Sequence, residues 1–286
     1  MSDRELVAEI ARRHLPADVA DRWLQLLRPA AALRHAAPGD RTAGVLGGNP
    51  ALPDSAEWPF WDGHGPLSFV AAVDCAALAG VPLDIMLPPA GTLLFFYFDG
   101  QYDNCEAIVG YWDPQTSAGA RTLYVGAGEP VSTRACPEGI RPYERVELTV
   151  EAVVTFPGWE HPDLRAAFSS PGEDLRAFLG HPVNDAKFTE SLAGRIIGPH
   201  HQVGGYADPV QGPVEWEVAM SALANPDPQD PRVPAEQARW TLLAQIDTDG
   251  RAGMMWGDCG ALYWLSRHED LNDGRTTETS FTWQCS

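Results

Sequence analysis

From Trp240 to Ile246 the chain reads WTLLAQI, apolar at almost every position, as expected for a strand buried on both faces. Asp247-Thr248-Asp249-Gly250 ends that strand with turn chemistry. Gly253-Met254-Met255-Trp256-Gly257-Asp258-Cys259-Gly260 follows as a glycine-rich loop, and Ala261 to Leu265 resumes a strand. The same order occurs earlier. Gly47-Gly48-Asn49-Pro50 precedes an apolar run from Leu67 to Asp74, and Gly91 then opens the aromatic-rich Thr92 to Phe98. In the late copy, Gly204-Gly205-Tyr206-Ala207-Asp208-Pro209 precedes Leu242 to Asp247, and Gly260 opens Ala261 to Trp264. Each copy runs Gly-Gly, proline, apolar strand ending in Asp, then a glycine opening an aromatic strand. The spacers differ, so the pattern is a two-fold internal duplication and not a solenoid.

Around these copies the periodicity changes. Leu6, Val7, Ile10 and Leu15 predict a helix over residues 3–14, capped by Ser2 or Asp3 and stopped by Pro16. A second helix is expected from Ala17 to Leu27, with Val19, Trp23, Leu26 and Leu27 on one face and Pro29 ending it. Residues 31–36 read as a short strand and 44–66 as a Gly/Pro loop. Further strands are expected at 105–111, 121–126 and 145–155, the last with one wet face. Pro157, Pro162, Pro171 and Pro182 then punctuate short helices at Asp163–Phe168, Glu173–Leu179 and Asn184–Leu192. The expected fold is α+β, predominantly β and internally duplicated. An N-terminal helical segment (1–30) precedes one domain (31–286), with a first half of about 31–155, a helical insertion of about 156–195 and a second half of about 196–286.

Composition narrows the function classes. The net charge of −19, with Lys187 the only lysine, leaves no basic stripe for phosphates or an anionic membrane surface. The acidity fits a soluble cytoplasmic protein, or one that binds a basic partner. Cys75, Cys105, Cys136, Cys259 and Cys285 are scattered and show no CxxC spacing, so reduced thiols are expected. No apolar h-region opens the chain and no run has membrane-spanning length.

Residues 198–217, GPHHQVGGYADPVQGPVEWE, hold the densest chemistry: His200 and His201, with Asp208, Gln211 and Glu215 close by in sequence. These are metal-ligand types, yet adjacent histidines beside Gly-Gly match no spacing that sets two ligands on one helical face. No metal and no cofactor is expected. His200, His201 and Asp208 are the residues that would hold one. Nucleophile-elbow, dinucleotide and Walker motifs are absent. Asp247, Asp249 and Asp258 offer paired carboxylates, and Cys259 a thiol without an assigned histidine. Trp58, Phe60 and Trp61 pack either as a lid or as a binding surface.

The chain resembles the YwqG-like family, also called DUF1963. The resemblance rests on Leu46 to Pro50, Glu57-Trp58-Pro59, Pro66 to Asp74, Gly91-Thr92-Leu93, His201 to Gly212, Leu242 to Asp247, Met254 to Asp258, Gly260 to Trp264 and Gln284-Cys285-Ser286. It spans about residues 30–286, and departs at Asn49, Ala51 and the N-terminal helices. It implies a duplicated β-rich fold and, by the gene neighbourhoods of relatives, a protein-binding role of the immunity type. Two functions therefore stand. One is a cytoplasmic protein-binding module that meets a basic partner through its acidic surface and the tryptophan loop. The other is an enzyme or a small-molecule- or metal-binding protein with a pocket between the halves, using His201, Asp208, Gln211, Asp247 and Asp258. Across both, the candidate binding residues are Trp58, Trp61, His201, Tyr206, Asp208, Gln211, Asp247, Trp256 and Asp258.

Overall fold

A computed structural model describes residues 1–170, 172–195 and 198–286. Pro171 and the expected start of the second half at 196 lie outside them. Helices α1 (Asp3–His14) and α2 (Ala17–Leu24) lead into β1 (Arg28–His35). Next come β2 (Gly44–Leu46), β3 (Ala51–Pro53), β4 (Phe60–Trp61), β5 (Gly65–Pro66), β6 (Ser68–Asp74) and the short α3 (Cys75–Leu78). β7 (Thr92–Tyr97), β8 (Ala120–Val125), β9 (Val131–Thr133) and β10 (Val146–Thr155) follow. After α4 (Pro162–Phe168), α5 (Leu175–Leu179) and α6 (Ala186–Ala193) come β11 (His201–Val203), α7 (Val214–Ala222) and α8 (Val233–Gln237). The chain ends with β12 (Trp240–Asp247), β13 (Ala261–Arg267), α9 (His268–Asn272) and β14 (Thr279–Gln284).

Ten strands form one sheet in the order β14-β13-β12-β11-β1-β10-β2-β6-β7-β8, antiparallel at each pairing. The order is palindromic about the β1–β10 pair. A long central strand, a three-residue strand, a strand ending in Asp and two more strands run outward on each side. β6 and β12 even share a register shift near their starts, at Phe69/Ala71 and Leu242/Ala244. The expected duplication is thus present as a pseudo-two-fold in the sheet, and it is interlaced. β1 precedes β2 in the chain yet pairs with β11, while β10 precedes β11 and is the strand that pairs with β2.

Both Gly-Gly pairs have left-handed backbone: φ is +55° and +71° at Gly47 and Gly48, and +71° and +73° at Gly204 and Gly205. A side chain there is strained. At Gly205 it would also run into Thr155 Oγ1 and lie 2.8 Å from the Cβ of Ala30.

The sheet curls until its edges approach, with the Thr122 and Thr279 hydroxyls 3.1 Å apart. The core it encloses joins the two halves: Phe95 and Trp264, on equivalent strands, pack with ring centres 5.0 Å apart. A second core lies over the central strands. There Val7, Ala11 and Trp23 of the N-terminal helices meet Val154, Leu164, Phe178 and Phe188, so the leading helices and the insertion form one helical layer.

Local departures from expectation have local causes. Residues 105–111 form turns and not a strand, because Asn104 and Cys105 take φ of 57° and 62° and Asp103 Oδ2 captures the Ala107 N–H. The second helix stops at Leu24, and Pro29 sits inside β1, near its start, opposite Val154.

Candidate functional site

The three-residue strand β11 carries the two histidines, and strand alternation sends them to opposite faces. His201 points inward, with 1% of its side chain exposed, and its Nε2 is 3.0 Å from Asp249 Oδ2. The same oxygen takes His35 Nε2 at 2.5 Å, while Asp249 Oδ1 accepts the N–H groups of Arg251 and Ala252. Burial alone would raise the Asp249 pKa. The hydrogen bonds from His201, His35 and the Ala252 N–H outweigh burial and hold it below the usual carboxylate range.

Among the described residues, His35, His201 and Asp249 are the one group of potential metal ligands whose atoms converge, all within 4.8 Å of one another. Their donor set does not fit a cation. His201 Nδ1 accepts the Asp247 N–H at 3.0 Å, which assigns the ring proton to Nε2. Metal at Nε2 would force that proton onto Nδ1, facing another N–H. The cluster is a brace joining β1, β11 and the turn after β12.

His200 faces outward, with Nδ1 3.0 Å from Asp208 Oδ2 and its N–H on Asp247 Oδ2 at 2.9 Å. The following loop, Gly204 to Pro213, is fixed by three buried glutamines. Gln202 Nε2 donates to the carbonyls of Gly204 and Tyr206. Gln245 Oε1 accepts the Asp208 N–H and its Nε2 donates to the His200 carbonyl. Gln284 Oε1 accepts the Gln211 N–H and its Nε2 donates to the Gly212 carbonyl and to Glu217. Tyr263 donates to the Asp208 carbonyl, and Tyr206 to Asp163 beneath an Arg28 guanidinium 4.0 Å from its ring. Such satisfaction of loop backbone by buried side chains makes a rigid platform.

Two cavities flank the platform. The larger, about 630 Å³, lies against the helical layer; Trp23, Phe156, Trp159 and Phe188 wall it, and His200, Asp208 and Asp247 form its polar side. The smaller, about 330 Å³, shares Trp159 and Asp208 and adds Glu160, His161, Gln211 and Glu215. Among the described residues no lysine or arginine lines either cavity. Glu215 is only 7% exposed and accepts no side-chain hydrogen bond among the described residues. Burial pushes its pKa up to about 7, against the pull of its own N–H and of Arg28. Burial likewise raises Glu217 to about 7, although Thr282 and Gln284 donate to it. His161, also desolvated, drops to about 4 despite the nearby Asp163.

The structure therefore assembles His200, Asp208, Gln211 and Asp247 around the cavities, with Tyr206 buried beneath them. His201 lies on the other face. Trp256 is 2% exposed, packed between the Tyr97 and Tyr143 rings. Asp258 is exposed near the C-terminal residue, its carbonyl accepting the Ser286 N–H. Trp61 is buried, and half-buried Trp58 donates to the Leu67 carbonyl and packs edge-on to Phe96. The two tryptophans of the loop thus pack on the core, while Phe60 between them stays exposed. Sequence reasoning missed Trp23, Trp159 and His161. The Trp159-Glu160-His161 run after Pro157 was an available signal; Trp23 gave none, since its helical face already explained it.

One family model matches the chain, a domain of unknown function (DUF1963), over residues 45–285. No curated protein matches it. No helix among the described residues is long and apolar enough to cross a membrane.

Proposed function

Since the chain belongs to the DUF1963 family, a membership that carries no activity with it, we propose from the site alone that this is a small-molecule-binding protein whose ligand is an organic cation with an apolar body. The observation that carries the reading is the larger cavity, walled by aromatic rings and closed by Asp208 and Asp247 with no basic side chain except His200. Aromatic faces and carboxylates together favour an amine over a neutral or acidic analogue. Its volume of about 630 Å³ is that of a small-molecule site. The smaller cavity extends the acidic character through Glu160 and Glu215. Five free cysteines support the cytoplasmic setting.

Titration with tryptamine, followed by calorimetry, tests this against indole-3-ethanol and indole-3-acetate. Saturable binding of the amine, weakened about tenfold or more by Asp247→Asn, is expected with no Asp247-dependent binding of the other two, since a charge-assisted contact is worth about 1.5–3 kcal/mol. Equal binding of all three probes, or none of the amine, would sink the reading. A basic protein partner is the second reading, supported by the charge of −19 and by exposed Tyr102, Ile108 and Trp112. It no longer has Trp58 and Trp61 as anchors.

A further inference from the structure

The pseudo-two-fold relates the site's platform to a place in the first half where the platform is missing. Aligning Gly47-Gly48 with Gly204-Gly205, Asp74 with Asp247 and Gly91 with Gly260 pairs the strands residue by residue. Val45 then corresponds to Gln202, Ala72 to Gln245 and, through the equivalent pairings Thr92–Val125 and Ala261–Gln284, Val125 to Gln284. All three platform-holding glutamines are small apolar residues in the first half. Leu94 and Phe69 stand where Tyr263 and Leu242 pack under α7, whose Val214, Val218 and Ala219 cover the second half's outer face.

The space so vacated is a cavity of about 700 Å³, lined by these same residues: Val45, Phe69, Ala72, Leu94 and Val125. Its chemistry is the reverse of the acidic site. No carboxylate lines it, and Arg145 is its one charged side chain, in a chain of net charge −19. Among the described residues the Arg145 guanidinium pairs with Glu147, at 3.6 Å, with both side chains more than half exposed. Such a surface pair is weak and readily exchanged for a ligand's anion.

We propose that this cavity is a second ligand site, which takes an amphiphilic carboxylic acid with its chain against Ala72 and Leu94 and its carboxylate on Arg145. The duplication has thereby diverged into two sites of opposite charge preference, one over glutamines and one over small apolar residues. Carboxylate suits a guanidinium because two parallel N–H···O bonds form at once. An apolar chain suits the wall where Val45, Ala72 and Val125 replace the glutamines, since none of the three carries a polar side-chain group to satisfy; Asn49, Thr92 and Thr133 are the uncharged polar residues of the lining.

Calorimetric titration of the full chain with decanoate, decan-1-ol and decyltrimethylammonium tests it. Decanoate is expected to bind at one saturable site, at least tenfold tighter than decan-1-ol and than any decyltrimethylammonium binding that Ala72→Gln removes. Ala72→Gln, which installs the second half's residue, should abolish that binding. Arg145→Ala should remove the preference for decanoate over decanol while leaving chain binding. Thermal unfolding and near-ultraviolet circular dichroism report whether Ala72→Gln is folded; if it is not, Arg145→Ala decides alone. No saturable decanoate binding, or decyltrimethylammonium binding of equal affinity that Ala72→Gln also removes, would overturn the proposal; cation binding that survives Ala72→Gln belongs to the acidic cavity. So would unchanged selectivity in Arg145→Ala.

Discussion

Replacing Glu215 by glutamine is the sharpest probe of the acidic site, because its effect on stability can be worked out before it is measured. The carboxyl is raised from 4.5 to about 7 by burial. It holds its proton more tightly folded than unfolded. Its contribution is therefore intact below pH 4.5 and is lost as pH climbs through about 7. A rise of about 2.5 units at ~1.4 kcal/mol each gives a penalty of about 3 kcal/mol above pH 8, an upper figure for one buried group. Glutamine keeps the shape and carries no charge, so Glu215→Gln should lose about 3 kcal/mol less than wild type between pH 4 and 8.5. In thermal terms that is on the order of 5–10 °C. Glu217 adds its own pH dependence in both proteins, with its pKa raised partly by the Glu215 charge. Its transition should therefore also move toward lower pH in the variant. Urea unfolding at closely spaced pH values reads both effects. Parallel pH profiles for the two proteins would mean that Glu215 is solvated and already ionised, and would remove it from the acid–base chemistry of the smaller cavity.

Other substitutions probe the platform and the brace. Gly205→Ala meets both a left-handed φ of +73° and Thr155, so urea unfolding should show a loss of about 2–3 kcal/mol. Gln284→Ala breaks the bonds to Gln211, Gly212 and Glu217, costing about 2 kcal/mol or more. Hydrogen exchange should then show the 204–213 backbone opening while β1 and β10 stay protected. Asp249→Ala leaves the buried His201 imidazole, the partly exposed His35 imidazole and two backbone N–H groups without this partner, and should cost about 3 kcal/mol. Because the Asp249 carboxyl is held low in the fold, its contribution is present above the unfolded value and lost on acidification. The variant's acid-unfolding limb should accordingly be shallower. Chelator treatment should leave the melting temperature unchanged, since the His201 tautomer suits the brace and not a cation; a drop restored by Zn²⁺ would refute that assignment.

The duplication was legible because turn chemistry repeats where the backbone repeats: Gly-Gly in left-handed conformation, Asp closing a strand, Gly opening the next. Its interlacing was not. Nothing in the apolar alternation of 28–35 or 146–155 says which strand lies beside which, since β pairing is decided by long-range packing. The loop of the site was legible as a cluster of polar residues between glycines. Its division was hidden in the two-residue period of β11, which turns His200 to the cavity and His201 to Asp249. Trp58, Trp61 and Trp256 misled because a large aromatic side chain in a glycine-rich loop reads equally as surface or as core. Here two of the rings are buried and the third is half-buried with its indole N–H bonded.

The interlaced centre of the sheet bears on how the chain is made. As it leaves the ribosome, β1 emerges early and finds neither of its neighbours, because β10 and β11 have yet to be synthesised. β2 waits for β10 as well, so a sheet of the early strands β2, β6, β7 and β8 has two open edges, at β2 and at β8. The nascent first half therefore keeps unpaired strand edges until β10 arrives to pair with β1 and β2. Closure of the sheet is a late, long-range event of the kind that makes folding slow. A gene cut just ahead of β10 would not yield two proteins; each product would carry a central strand whose partners are encoded in the other.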